Sequence, residues 1–264
     1  MTAAANKIPR EKRMTLGEHL VELRKRIVVI AIAIVLGAVA GWFLSDLVWK
    51  ALEIPVQQIA EDQGRNAQIV FPTVTGAFDL RLQLSIWTGV IITSPIWLYQ
   101  VFAYFVPALT RAERKYVFGF FFSAVPLFLI GCYSGWLALP HMVQMFTSFV
   151  PSDSASFLDA SYYFQFVIKL MIAIGIAYVI PVFLVMLNFL GILSAKAIIR
   201  NWRIAVVVIL AFTAIATPAA DVISMFLLAI PMIVLYFAAY LIAVVHDRRA
   251  AKRQAAFDAE VSTL

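Results

Sequence analysis

Charged residues cut the chain into blocks, leaving six stretches without Asp, Glu, Lys or Arg at 27–45, 82–110, 116–152, 170–195, 204–220 and 222–245. About 20 apolar residues in helical form cross the hydrocarbon core of a bilayer, so each run predicts one transmembrane helix. The predicted spans are 27–47, 79–106, 117–140, 162–190, 204–217 and 222–244. The third run is too long for one crossing, so its helix is placed at 117–140 and residues 142–159 are expected to form an external loop. Pro218 limits the fifth helix, which then reaches about 21 Å against about 30 Å of hydrocarbon. Either the membrane thins around it or neighbouring helices shield it from lipid. Pro95, Pro107, Pro126, Pro140, Pro181 and Pro231 lie in or beside the spans, and each removes a backbone hydrogen bond and bends its helix, which packed membrane helices tolerate. The expected fold is therefore all-α: one polytopic membrane domain over 1–264, six helices in a curved bundle, without the internal repeat typical of secondary transporters.

Composition agrees, with 63% hydrophobic and 14% charged residues and a mean hydropathy of +0.90, whereas soluble domains are nearer half apolar and a quarter charged. The basic start followed by an apolar run is reminiscent of a signal peptide, but the 19 uncharged residues of 27–45 fit an uncleaved first span better. The cations then set the topology. Seven precede the first span and three, three and four more fall in alternate connecting segments, 17 of the 21 in all. Short cytoplasmic loops carry the Lys/Arg excess, so both termini are expected on the cytoplasmic side of a bacterial inner membrane. Cations distributed between apolar runs form no groove for nucleic acid. The external segment 48–77 is punctuated by Pro55, Gly64, Pro72 and Gly76, which predicts a structured cap rather than a continuous helix. Cys132 is the lone cysteine, and Cys/His clusters with metal spacing, GxSxG, HExxH and phosphate-binding glycine motifs are all absent. No metal, cofactor or catalysis is assigned.

Two acidic positions carry the candidate chemistry. Leu16, Leu20, Leu23 and Ile27 share one face of a helix that is expected to lie against the membrane surface, with Glu18 and Glu22 opposite. Glu22 and Arg26 stand at i,i+4, where a pair contributes a few tenths of a kcal/mol. In the second basic loop, Thr110 and Glu113 have capping-box spacing before a helix. A carboxylate there, beside Arg111 and Arg114, stays ionised at a helix start and is open to a cationic ligand.

The segments Glu18-His19-Leu20-Val21-Glu22-Leu23-Arg24-Lys25-Arg26, Tyr99-Gln100-Val101-Phe102-Ala103-Tyr104-Phe105-Val106-Pro107-Ala108-Leu109, Glu113-Arg114 and Leu228-Ala229-Ile230-Pro231-Met232 together resemble the TatC family. The likeness runs from about Leu16 to Val245, with the same order of spans. It implies a receptor for twin-arginine signal peptides of folded precursors, with Glu22 and Glu113 as the arginine-binding acids. It also implies that Leu20 and Leu23 face the signal's apolar part, that Tyr104, often Phe in the family, stands beside the acidic site, and that Pro55, Pro107, Arg24, Arg114 and Asp221 are structurally or functionally important. Thr213, Thr217 and Met225 become candidates for a partner interface, Met225 replacing a frequent Gln. The fourth span departs from the family, since Val179 and Ile180 precede Pro181 where a buried Glu is usual; Gln165, Lys169 and Asn188 are its remaining polar groups.

A guanidinium forks onto a carboxylate through two parallel hydrogen bonds that an ammonium cannot reproduce, so paired acids can tell arginine from lysine. Six helices packed 8–10 Å apart enclose too narrow a gap for a folded cargo, since about 100 residues have a radius of gyration of about 13 Å. The resemblance thus implies single-span partners of the TatA and TatB types along the fifth and sixth spans, self-association, contact with membrane lipids, and drive from the proton gradient. The competing expectation, a solute transporter using Asp79, Arg81, Lys169 and Asp221, is weakened because all four lie near span ends.

Overall fold

The computed structural model describes residues 16–62, 67–71, 73–105, 114–148, 156–217 and 221–262. Among the described residues, eight helices and two short strands follow in the order α1 (Leu16–Asp62), β1 (Ala67–Val70), α2 (Gly76–Ile92), α3 (Ser94–Phe105), α4 (Arg114–Ser148), β2 (Ser156–Asp159), α5 (Ala160–Phe189), α6 (Ala195–Arg200), α7 (Trp202–Ala216) and α8 (Val222–Ser262). The architecture is all-α apart from the two strands. The six uncharged runs correspond to α1, the bent pair α2–α3, α4, α5, α7 and α8. Of these, α1, α4, α5 and α8 are long and apolar enough to cross a membrane singly, and α2–α3 joins them when counted as one broken span.

The longest difference from the sequence pattern is α1. It continues without a break from the amphipathic segment through the apolar run and past Pro55, 47 residues in all, or about 70 Å. A proline inside a helix leaves the carbonyl four residues earlier without its donor. Here that carbonyl belongs to Ala51, and the Trp136 indole N–H donates to it at 3.3 Å; beside it the Tyr163 hydroxyl donates to Leu52 O at 3.0 Å. The α4 donor thus replaces the lost bond, the α5 hydroxyl ties the neighbouring carbonyl as well, and buried Leu52 and Val56 hold the turn in the core. The expected cap survives only in part, as β1 pairing in parallel with β2 from Ala67↔Ser156 to Val70↔Asp159. That pair ties together the two segments predicted separately as external.

The second span breaks at Thr93, where α2 and α3 meet with a 55° bend. Pro95 lies in the first turn of α3, where its missing N–H costs nothing, and it disfavours helical backbone at the preceding residue. The Val90 carbonyl left at the break accepts from the Trp97 indole N–H at 2.9 Å. Elsewhere helices overrun their predicted ends. α4 passes Pro140 to Ser148 because Met142 and Val143 are core residues, and α8 extends well past 244, its last turns exposed.

Without a hydrophobic drive between helices in lipid, close backbone approach supplies packing energy. Gly37 and Gly41 of α1 lie against Ser85 and Gly89 of α2: a Cβ on Gly37 would stand 2.8 Å from the Gly89 carbonyl, and one on Gly41 would collide with the Ser85 carbonyl. Gly131 of α4 meets α5 likewise, where a Cβ would lie 2.7 Å from Gly175 Cα. α5 is the central helix, burying Phe164, Val167, Ile174, Tyr178 and Met186 between α4, α2 and α8. By contrast α7 buries only Thr213 and exposes Ile204, Val207, Val208 and Ile215. Among the described residues, nothing shields those four side chains.

Candidate functional site

At the end of the bundle away from the strand pair, the first turns of α1 stand against α3. The 55° bend brings α3 across so that Gln100 and Tyr104, one helical turn apart, meet α1. Arg26 donates to Glu22 Oε1 through Nε at 3.1 Å and Nη2 at 2.5 Å, and through Nη1 to Gln100 Oε1 at 3.0 Å. Tyr104 stacks on His19 with centroids 4.3 Å apart and planes at 26°. The i,i+4 pair anticipated from spacing is therefore present, but it is also clamped from α3. Both partners are about four-fifths shielded, with side-chain exposures of 21% for Arg26 and 20% for Glu22.

Beside this clamp opens a groove of about 800 Å³ lined by Gly17, Glu18, Val21, Glu22, Lys25 and Gln100, among others. Glu22 Oε2 is shielded from solvent and has no hydrogen-bond partner among the described residues. An ionised carboxylate oxygen without a donor is costly to bury, so this corner is chemically set up to accept one more donor. Val21 and Val29 supply the apolar wall. Such a groove suits a cationic group carried on an apolar stem.

The other sequence candidates divide. Leu20 is 64% exposed, Arg24 is exposed and Leu23 is half-buried, all on the same turns as Glu22. Glu113 and Pro107 lie outside the described residues; Arg114 opens α4 and Pro55 sits within α1. Asp221 is at the opposite end, where its Oδ1 accepts from Ser224 N at 2.9 Å and so caps α8. Thr213 and Thr217 face inward, 0% and 5% exposed, and their hydroxyls donate to carbonyls of their own helix, whereas Met225 is partly exposed. In the fourth span Val179 is buried, Ile180 exposed and Lys169 exposed. Of the transporter candidates, Arg81 pairs with Asp46 at 3.4 Å and lies over Trp42, and among the described residues no hydrogen bond or ion pair joins any two of the four.

One polar cluster escapes the sequence reading. Asn188, 2% exposed, donates to Asp247 Oδ1 and to Leu193 O, both at 2.8 Å. Asp247 Oδ2 accepts from Ala195 N at 2.8 Å, and His246 Nδ1 lies 3.1 Å from Asn188 Oδ1. The carboxylate joins α5, the start of α6 and α8. The available signal was a buried amide in an apolar run together with an Asp just past the end of another.

Residues 18–231 match the family described as Sec-independent protein translocase protein (TatC). The Sec-independent protein translocase protein TatC of Xylanimonas cellulosilytica is 44% identical over 246 residues, 93% of this chain and 89% of the relative. That of Rothia mucilaginosa is 36% identical over 244 residues, 92% of this chain and 83% of the relative. A crystal structure of the twin arginine translocase receptor TatC in DDM superposes with a TM-score of 0.73 at 26% identity, covering 86% of this chain and 99% of that one. With several helices apolar enough to cross a membrane, these likenesses indicate a multi-pass membrane protein.

Proposed function

Because the chain belongs to the TatC family of Sec-independent protein translocase proteins, we propose that it is the receptor that binds twin-arginine signal peptides of folded precursors and nucleates their export complex. One observation carries this reading: Glu22 Oε2 is shielded and has no hydrogen-bond partner among the described residues, in a groove between α1 and α3. A visiting guanidinium supplies the missing donor, while Arg26 keeps hold of Oε1. The second arginine falls to Glu113, which follows α3 in the chain and precedes the start of α4 at Arg114. Leu20 and Leu23 meet the signal's apolar stretch, and Tyr104, one turn along α3 from the groove-lining Gln100, braces the start of α1 through its stack on His19. A lysine at either motif position offers a single ammonium and loses the bidentate geometry.

The Lys/Arg distribution supports placing this end of the bundle, with both termini, on the cytoplasmic side of a bacterial inner membrane. Six helices packed about 8–10 Å apart leave too narrow a gap for folded cargo, so single-span partners of the TatA and TatB types assemble around the bundle, with the proton gradient as the energy source. The uncovered face of α7 with Ile204, Val207, Val208 and Ile215 is their docking surface, joined by Met225 on α8. Inward-facing Thr213 and Thr217 act by packing the outer end of α7 against the bundle, next to Asp221, which caps α8. Site-specific photocrosslinking from position 20 to a precursor tests the assignment: adducts that form with Arg-Arg and vanish with Lys-Lys support it, and adducts indifferent to that change refute it.

A further inference from the structure

The apolar groove between α4, α5 and α8 continues directly into a basic cleft at the C-terminal side of α8. Phe120, Val185, Phe189, Leu235, Ala238 and Ile242 line the apolar part, which holds about 340 Å³. Phe189 and Ile242 also line the adjoining cleft of about 330 Å³, together with Val245, His246, Arg249 and Arg253. The two spaces therefore share a wall, and the change from apolar to basic falls where the last uncharged run ends at Val245.

We propose that this composite groove binds one anionic phospholipid, its phosphate between Arg249 and Arg253 and one acyl chain along Phe189, Ile242 and Leu235. Length argues for a lipid rather than a partner helix. From Leu235 to Val245 the apolar wall of α8 rises about 15 Å, half of the roughly 30 Å hydrocarbon core and hence one leaflet. A transmembrane partner would need a face running the full thickness. Charge argues for an anionic headgroup. Arg249 and Arg253 are exposed, and no ion pair to either exists among the described residues; Arg253 Nε donates only weakly, at 3.4 Å, to Arg249 O. The adjacent acid, Asp247, is turned to Asn188 and Ala195 N. His246 is stacked on Phe189 at 3.8 Å and 15°, with Nδ1 engaged by Asn188, which leaves Nε2 as the ring's remaining polar atom. Asp247 Oδ1 also stands 3.7 Å from His246 Nδ1, but both of its oxygens already accept from Asn188 and Ala195 N, and Asp247 is not itself among the residues lining the cleft. A cationic cleft between membrane helices at the lipid boundary is the usual form of a headgroup site.

The full chain, purified in neutral detergent, is exchanged into matched concentrations of phosphatidylglycerol or phosphatidylcholine with identical acyl chains, and retained lipid is counted by native mass spectrometry. Two arginines, each adding about a factor of five, predict roughly thirtyfold preference for the anionic lipid. The double variant Arg249→Gln/Arg253→Gln brings the preference near parity, whereas Arg200→Gln/Arg203→Gln, which removes the same charge elsewhere, preserves it. Ala238→Trp, which fills the acyl groove, lowers retention of both lipids. Inorganic phosphate and glycerol 3-phosphate serve as the water-soluble arm, read by thermal unfolding of the unmodified chain, and stabilise it far less than phosphatidylglycerol does. Equal retention of the two lipids by the unmodified chain, equal loss in both double variants, or full stabilisation by free phosphate each overturns the proposal.

Discussion

Replacing Gly41 with Ala tests how α1 and α2 hold each other, and with them the groove between α1 and α3. A Cβ at Gly41 collides with the Ser85 carbonyl, a backbone atom that no side-chain rotation can move. At Gly119, in the first turns of α4, a Cβ meets nothing within 4 Å. Both substitutions gain the same helix propensity of about 1 kcal/mol, so the difference between them isolates packing. Forcing a methyl into a filled crossing costs about 1–3 kcal/mol. Gly119→Ala is therefore expected to match or exceed the parent in stability, and Gly41→Ala to fall about 1–3 kcal/mol below Gly119→Ala. Reversible unfolding in mixed detergent micelles, followed by circular dichroism, measures both. Equal stabilities for the two variants would refute a packing crossing set by Gly37 and Gly41.

Trp136→Phe removes the donor that replaces the bond lost at Pro55; a cost of about 1 kcal/mol in the same unfolding assay is expected, with hydrogen exchange rising first near Ala51. Asp247→Asn weakens the junction of α5, α6 and α8, where two 2.8 Å contacts to a carboxylate are partly exposed; about 1–2 kcal/mol of stability is expected to be lost. Tyr104→Phe keeps the stack on His19 and leaves signal-peptide affinity near that of the parent, while Tyr104→Ala weakens it up to about tenfold, the worth of an aromatic pair; fluorescence anisotropy with a labelled peptide reads both.

The helices were legible because bilayer crossing imposes a coarse rule, about 20 uncharged residues at a time, that survives local detail. Their ends were not. At Pro55 and Pro140 local chemistry predicts a break, but donors and packing from distant helices, Trp136 and Tyr163 at one site and the burial of Met142 and Val143 at the other, override it. The break at Thr93 was only half legible: Pro95 announced a bend, while the rescue of Val90 O by Trp97 depends on the bent geometry itself. The spacing of Gly37 with Gly41 and of Gly131 with Gly135 is a signal that hydropathy passes over, since glycine reads as neutral there. In the site, the Glu22–Arg26 pair followed from i,i+4 spacing. The third member, Gln100, is 74 positions away from Arg26 and belongs to no local pattern. Asp247 was hidden similarly, looking like an ordinary boundary charge until Asn188 and Ala195 are placed beside it.

The central claim is that the unpartnered oxygen of Glu22 accepts a guanidinium from a visiting peptide, and the direct measurement is the affinity of a twin-arginine peptide for the chain in lipid nanodiscs before and after Glu22→Gln. A charge-assisted hydrogen bond contributes about 1.5–3 kcal/mol, so at this four-fifths-shielded carboxylate affinity for the Arg-Arg peptide falls about tenfold or more. Affinity for a Lys-Lys peptide, already weak, changes little. If the Arg-Arg peptide binds the Gln variant as tightly as the parent, the Glu22 groove is not the arginine site.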